Sequence, residues 1–252
     1  MELSLFAAGL GVCHVPVIDE RSHVMGVVTP YELLNVIERN QSDFIRSLMS
    51  MRVSDVVHPV PLMSVEDEID EVVRAVLDDQ CRCAILIDSA GQPVAVVSGY
   101  DALRLTLSID ELSRIMADTP ISALSGKVKV LPFETTVRQA VTALVANKGE
   151  AMVIEQTDFA VTSSSLVAAL LSPKDLLRSV RRSDEVLDSY LVYENEALVK
   201  MPVMGGDKSL KEAIRFVSDA KVEVLRLDNG GFVTLGSVIR FVQDRLRGLR
   251  SA

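Results

Sequence analysis

Apolar residues along this chain follow two spacings. In two stretches they recur every three or four positions, at Ile69, Val72, Val73, Val76 and Leu77 and again at Val137, Val141, Leu144 and Val145, which is the stripe of an amphipathic helix. Elsewhere they form short runs rich in β-branched residues, such as Val15 to Ile18, Ala84 to Ile87 and Ala151 to Ile154, and these read as strands. Short apolar segments at Val60 to Met63, Val128 to Leu131 and Val199 to Val203 stand where a further strand would precede a helix. After the paired strands a hydroxyl residue opens a second helix, as at Tyr31 to Ile37 and Asp175 to Val180. The predicted unit is strand, helix, strand, strand, helix.

This unit recurs, which makes the chain a repeat protein. A shift of 69 positions lays Val15-Pro16-Val17-Ile18-Asp19 on Ala84-Ile85-Leu86-Ile87-Asp88, and Gly26-Val27-Val28-Thr29 on Ala95-Val96-Val97-Ser98, without a gap. A third copy is read in Ala151 to Glu155 followed by Leu166 to Leu177, and a fourth in Val222 to Val242, where Asn229-Gly230 suits a tight hairpin. The hydroxyl residues are then Thr29, Ser98, Ser172 and Thr234. Consecutive copies are expected to pair, residues 1–118 forming one pair with the second copy from about 51, and residues 119–252 the other, with copies at about 119–189 and 190–252. Under the same shift Met1 matches Asp70, so the first copy is expected to lack its first strand and the start of its first helix.

Composition narrows the function classes. With 252 residues, 48% of them hydrophobic, the chain can build one large domain or two ordinary ones. Its formal charge of -9 offers no field for a phosphate backbone, so nucleic acid is not expected as a partner. Three cysteines, Cys13, Cys81 and Cys83, do not make a disulfide framework and suit a reducing, cytoplasmic setting. The apolar start MELSLFAAGLGVCHVPV carries Glu2 rather than a positive leader, unlike a secretory signal. No apolar run reaches the ~20 residues of a membrane span.

The repeated pattern resembles the CBS domain, named for cystathionine beta-synthase, over nearly the whole chain. Its motif is a glycine, two apolar residues, Ser or Thr, two variable residues and Asp. The first copy offers Gly26, Thr29 and Glu32, the second Ala95, Ser98 and Asp101, the third Ala169, Ser172 and Asp175, and the fourth Gly231, Thr234 and Ser237. The resemblance implies an α+β fold of four tandem repeats paired into two modules. It further implies a regulatory rather than catalytic role, with AMP, ADP or ATP as ligand and S-adenosylmethionine or NAD as alternatives. An unidentified target protein would read the occupancy, and the repeats would assemble as a homodimer or as a disc within one chain.

In that family the hydroxyl approaches phosphate and the aspartate accepts both ribose hydroxyls, a task that suits a carboxylate because it only accepts hydrogen bonds. The resemblance therefore points to a nucleotide at Ser172, Lys174 and Asp175 of the third copy, facing Val199, Lys200 and Met201, with both lysines offsetting phosphate charge. It also places Thr29 and Glu32 opposite Val60-Pro61-Leu62, with Arg82 directed to phosphate. Ser98 and Asp101 would need the missing first strand, so their pocket is expected to be empty or completed by a neighbouring molecule. Thr234 is the corresponding hydroxyl of the fourth copy.

Simpler readings compete at each position. Thr29-Pro30-Tyr31-Glu32 is also a capping box with proline at the first helical position, and Ser98 with Asp101 and Ser172 with Asp175 fit the same role. A structural interaction scaffold with vestigial pockets is thus the alternative to a sensor. Gly9 to His14 lacks the last glycine of a dinucleotide fingerprint, and Gly205 to Ser209 lacks the upstream glycine of a phosphate loop. His14, His23 and His58 are scattered, so metal chemistry is not expected. Arg240, Arg245, Arg247 and Arg250 read as a solvated helix face or a docking patch for an acidic partner.

Overall fold

The computed structural model describes residues 13–172 and 184–249. Among the described residues the first copy has paired strands β1 (Val15–Ile18) and β2 (Val24–Val28), followed by helices α1 (Pro30–Asn40) and α2 (Phe44–Ser50). The second runs β3 (Leu62–Ser64), α3 (Ile69–Asp78), β4 (Cys83–Ile87), β5 (Pro93–Ser98), α4 (Gly99–Leu105) and α5 (Asp110–Asp118). The third runs β6 (Val130–Leu131), α6 (Val137–Ala146), β7 (Met152–Ile154), β8 (Phe159–Val161) and α7 (Ser163–Leu170). After β9 (Leu198–Lys200), the fourth has β10 (Val203–Met204), α8 (Leu210–Ala220), β11 (Val224–Leu227), β12 (Phe232–Thr234) and α9 (Leu235–Leu249). In the second, third and fourth copies the first strand lies parallel to the second, and the second antiparallel to the third.

The repeat has a local physical basis. Asp19 Oδ1 accepts the amides of Arg21 and His23, each at 2.8 Å, and Asp88 Oδ1 accepts those of Ala90 and Gln92, each at 2.9 Å. The aspartate that ends the second strand therefore folds the following turn in both copies. The backbone amide of His23, foremost, holds the Asp19 carboxyl below its ordinary value.

Two corrections concern the second half. Leu166 to Leu171, read as a strand leading to Ser172, forms the second half of α7 and its C-cap Leu171, and the strand of that copy is β8. This segment is apolar on all sides and all but Ala168 of it is buried, so its periodicity does not separate strand from helix. The segment Val199 to Val203, read as one strand, is interrupted at Met201 and Pro202: β9 pairs with β8 and β10 with β11.

The chain divides into two compact units, built from the described parts of residues 1–17, 25–58 and 129–200 and of residues 18–24, 59–128 and 201–252. The core of one unites Leu34, Ile37 and Phe44 of the first copy with Leu144, Ile154 and Leu166 of the third. That of the other unites Val73, Leu103 and Met116 of the second copy with Ile214, Leu225 and Val242 of the fourth. The expected boundary at 118 and 119 groups consecutive copies, whereas each core groups alternate ones. Half-sized copies gain a larger shared interior in this way. No helix among the described residues is long and apolar enough to cross a membrane.

Candidate functional site

Each copy places a hydroxyl residue where its last strand becomes a helix. Thr29, Ser98 and Thr162 are the N-cap residues of α1, α4 and α7, and Thr234 closes β12 directly before α9. The sequence favours this point because an N-cap side chain satisfies an amide that has no partner within the helix. In the third copy the position belongs to Thr162 and not to Ser172. Ser172 lies beyond the C-terminal end of α7, its amide bonded to Ala169 O at 3.3 Å, and Lys174 and Asp175 fall outside the described residues.

The residue three positions on divides the copies into two classes. Glu32 Oε2 accepts the Thr29 amide at 3.1 Å and the Thr29 hydroxyl. Asp101 Oδ2 accepts the Ser98 amide at 2.9 Å and the Ser98 hydroxyl at 2.6 Å, a short charge-assisted bond. Both boxes use one oxygen of the carboxylate, and Asp101 is exposed. The third and fourth copies carry serines instead. Ser165 Oγ accepts the Thr162 amide at 3.0 Å and lies 2.8 Å from Ala197 O, while Ser237 Oγ accepts the Thr234 amide at 3.2 Å and donates to Thr234 O at 2.8 Å. These hydroxyls are engaged with backbone.

An outer backbone segment flanks three of the four final strands. Val27 and His58 exchange two bonds, at 2.9 and 2.8 Å, β9 pairs with β8, and Gly126 bridges Phe232. Among the described residues β5 has no such neighbour. Gly26 explains the close approach at Thr29: its φ is +144°, and a Cβ there would lie 2.2 Å from the His58 carbonyl oxygen. Only glycine tolerates that combination.

The remaining expected residues are dispersed over these elements. Lys200 is exposed at the end of β9, opposite Phe159, and Met201 is buried. Arg82, at φ +53°, lies in the turn before β4, and its Cβ would stand 3.2 Å from a Cβ at Gly99. Cys83 is buried at the start of β4, and desolvation, with the Asp79 charge behind it, pushes its thiol up to about 12. In the C-terminal helix Arg245 stacks on Phe241 at 5.0 Å and Arg247 pairs with Asp78 at 3.8 Å and Asp244 at 3.7 Å, which favours the solvated-face reading there.

No protein-family model matches the sequence, and no curated protein matches it significantly. Solved structures do. Protein MJ1225 from Methanocaldococcus jannaschii, described as a proposed archaeal homologue of g-AMPK, aligns over 96% of this chain and 92% of its own at 14% identity, with a TM-score of 0.74. An uncharacterized conserved protein from Pyrococcus horikoshii aligns over 92% of this chain and 91% of its own at 16% identity, with a TM-score of 0.54. The CBS-pair protein CBSX2 from Arabidopsis thaliana covers 44% of this chain and 81% of its own, at 22% identity and a TM-score of 0.38.

Proposed function

We propose that this chain, whose fold is that of a tandem CBS-repeat protein, is a regulatory module that binds an adenine nucleotide at the turns of its first two copies and passes occupancy to a partner protein. The observation that carries this reading is the division of the four turns: Glu32 and Asp101 in the first two, Ser165 and Ser237 in the others. A carboxylate can accept both hydroxyls of a ribose, whereas a serine already bonded to backbone cannot. Thr29 heads the 11-residue helix α1, and the positive end of such a helix favours a phosphate. The reading is supported by the likeness in fold to the Methanocaldococcus protein, which is described as a proposed archaeal homologue of g-AMPK.

The two acidic turns are not equivalent. The Thr29 turn has the His58 backbone alongside it, while the Ser98 turn follows a strand with no outer neighbour among the described residues. The first is therefore proposed as the tighter site. For the third and fourth copies the structural reading is favoured, because the Ser165 hydroxyl donates to Ala197 O and that of Ser237 to Thr234 O. We therefore favour for the nucleotide the Thr29 and Glu32 turn over Ser172, Lys174 and Asp175, both of which the family resemblance implied.

A thermal-shift panel of AMP, ADP, ATP, S-adenosylmethionine and NAD tests the proposal. Ligand at a hundred times its dissociation constant adds about 2.7 kcal/mol. For a chain of this size that raises the melting temperature by roughly 5 to 10 °C. A panel in which no adenine compound shifts melting leaves the interaction scaffold as the better account.

A further inference from the structure

In three of the copies the outer segment meets the last strand two residues before the helix-opening hydroxyl. Val27 is bridged to His58, Ala160 pairs with Val199, and Phe232 is bridged to Gly126, all antiparallel. His58, Val199 and Gly126 therefore stand at one structural position, set against the turns of Thr29, Thr162 and Thr234. Only His58 brings a polar side chain to it. The same copy carries Glu32 three positions after its hydroxyl, where the other two have Ser165 and Ser237. A polar outer residue and an acidic turn thus occur together.

The geometry brings these two side chains to the same place. The main chain of His58 exchanges bonds with Val27 at 2.9 and 2.8 Å, so its ring is carried on backbone locked to the strand that leads to Thr29. One ring nitrogen lies no more than 4.8 Å from a Glu32 carboxylate oxygen. The residue is half-buried, and among the described residues its ring takes part in no hydrogen bond or ion pair. The two groups are thus not bonded directly, and their separation suits one intervening atom: two hydrogen bonds of about 2.8 Å meeting at about 110° span about 4.6 Å. The carboxylate only accepts. No other bond fixes the imidazole tautomer, and the negative carboxylate favours an N–H on the side facing it. The atom between them must then accept from the imidazole and donate to the carboxylate. A hydroxyl oxygen does both, whereas an ionised phosphate oxygen only accepts and an ammonium only donates.

We propose that His58 is a further ligand-binding residue at the Thr29 turn, donating to one ribose hydroxyl that in turn donates to Glu32, so that the site selects ribonucleotides. This inference rests on the nucleotide reading and adds a residue and a selectivity to it. The test is isothermal titration with AMP, 2′-deoxy-AMP and 3′-deoxy-AMP, on the full chain carrying Asp101→Asn so that the Thr29 turn is read alone. This parent is expected to bind AMP more tightly than either deoxy form, because each lacks a hydroxyl that Glu32 accepts. In His58→Leu the preference over one deoxy form is expected to fall roughly fivefold while the preference over the other stays. His58→Gln keeps an N–H donor and is expected to keep most of both preferences. The pairing with Val27 uses only the main chain of His58, so both variants are expected to melt like the parent. Unchanged preferences in His58→Leu would overturn the role of His58 and leave the nucleotide reading standing. An equal loss of both preferences would do the same, since it marks a displaced Glu32 rather than a lost hydroxyl contact. Loss of preference on adding EDTA would place a cation between imidazole and carboxylate and would also overturn the hydroxyl bridge. If AMP, ADP and ATP all fail to bind, the nucleotide reading falls and this inference falls with it.

Discussion

Replacing Gly26 with alanine separates two reasons for glycine at this turn, and the structure sets the size of each. The new Cβ would stand 2.2 Å from His58 O, 2.8 Å from His58 C and 2.8 Å from Val57 Cγ1. Two of these atoms are backbone, so relief requires the Val27 and His58 pairing to open. That pairing consists of two hydrogen bonds, each contributing about 1 kcal/mol, and the positive φ costs about 1 kcal/mol more. The expected loss is about 3 kcal/mol, or roughly 6 to 12 °C in melting temperature. Gly91 supplies the control, because its φ is +77° and nothing lies within 4 Å of its hypothetical Cβ. Gly91→Ala should cost only the conformational part, about 1 kcal/mol, or roughly 2 to 4 °C. Far-UV circular dichroism melts of both variants make the comparison. Equal melting temperatures would refute the reasoning that the His58 carbonyl, rather than the dihedral angle alone, requires glycine at this turn.

Two further outcomes follow from titration and burial. The Ser209 backbone amide, at 3.0 Å, and then the Ser209 hydroxyl hold the Glu212 carboxyl below its ordinary 4.5; the capping box of α8 is therefore fully formed above that pH and lost as pH falls through the lower folded-state value. A side-chain NMR titration should place the Glu212 midpoint below 4.5 in the wild type and higher in Ser209→Ala, and equal midpoints would contradict the capping geometry. Cys83, with its thiol pushed up to about 12, should resist iodoacetamide at pH 8 in the folded chain and react once unfolded; peptide mapping that finds it alkylated in the native protein would contradict its buried placement.

Much of this architecture is written in local chemistry. The stripes at Ile69 to Leu77 and Val137 to Val145 became α3 and α6, and the matched aspartates Asp19 and Asp88 both fold their turns. The third copy misled because Leu166 to Leu171 is apolar on every side and a serine and an aspartate happen to follow. A local signal did exist: the short connection Glu155–Asp158 suits a tight hairpin, which places the strand end at Thr162, and Thr162 with Ser165 then makes the same box as Ser98 with Asp101. The sharing of one core by alternate copies is of another kind. It depends on which helix stripes meet across long sequence separations, and every stripe here is apolar enough to suit several partners.

The central claim is that the carboxylates of the first two copies, and above all Glu32, hold the nucleotide. Isothermal titration of the full chain with the nucleotide that shifts melting most, repeated on Glu32→Gln, Asp101→Asn and Ser165→Ala, tests it most directly. Loss of a charged hydrogen bond to ribose costs about 1.5 to 3 kcal/mol, so Glu32→Gln should weaken the tighter site roughly tenfold or more, Asp101→Asn should affect only a weaker site, and Ser165→Ala should leave affinity as it is. Wild-type binding in Glu32→Gln and Asp101→Asn alike would contradict the account.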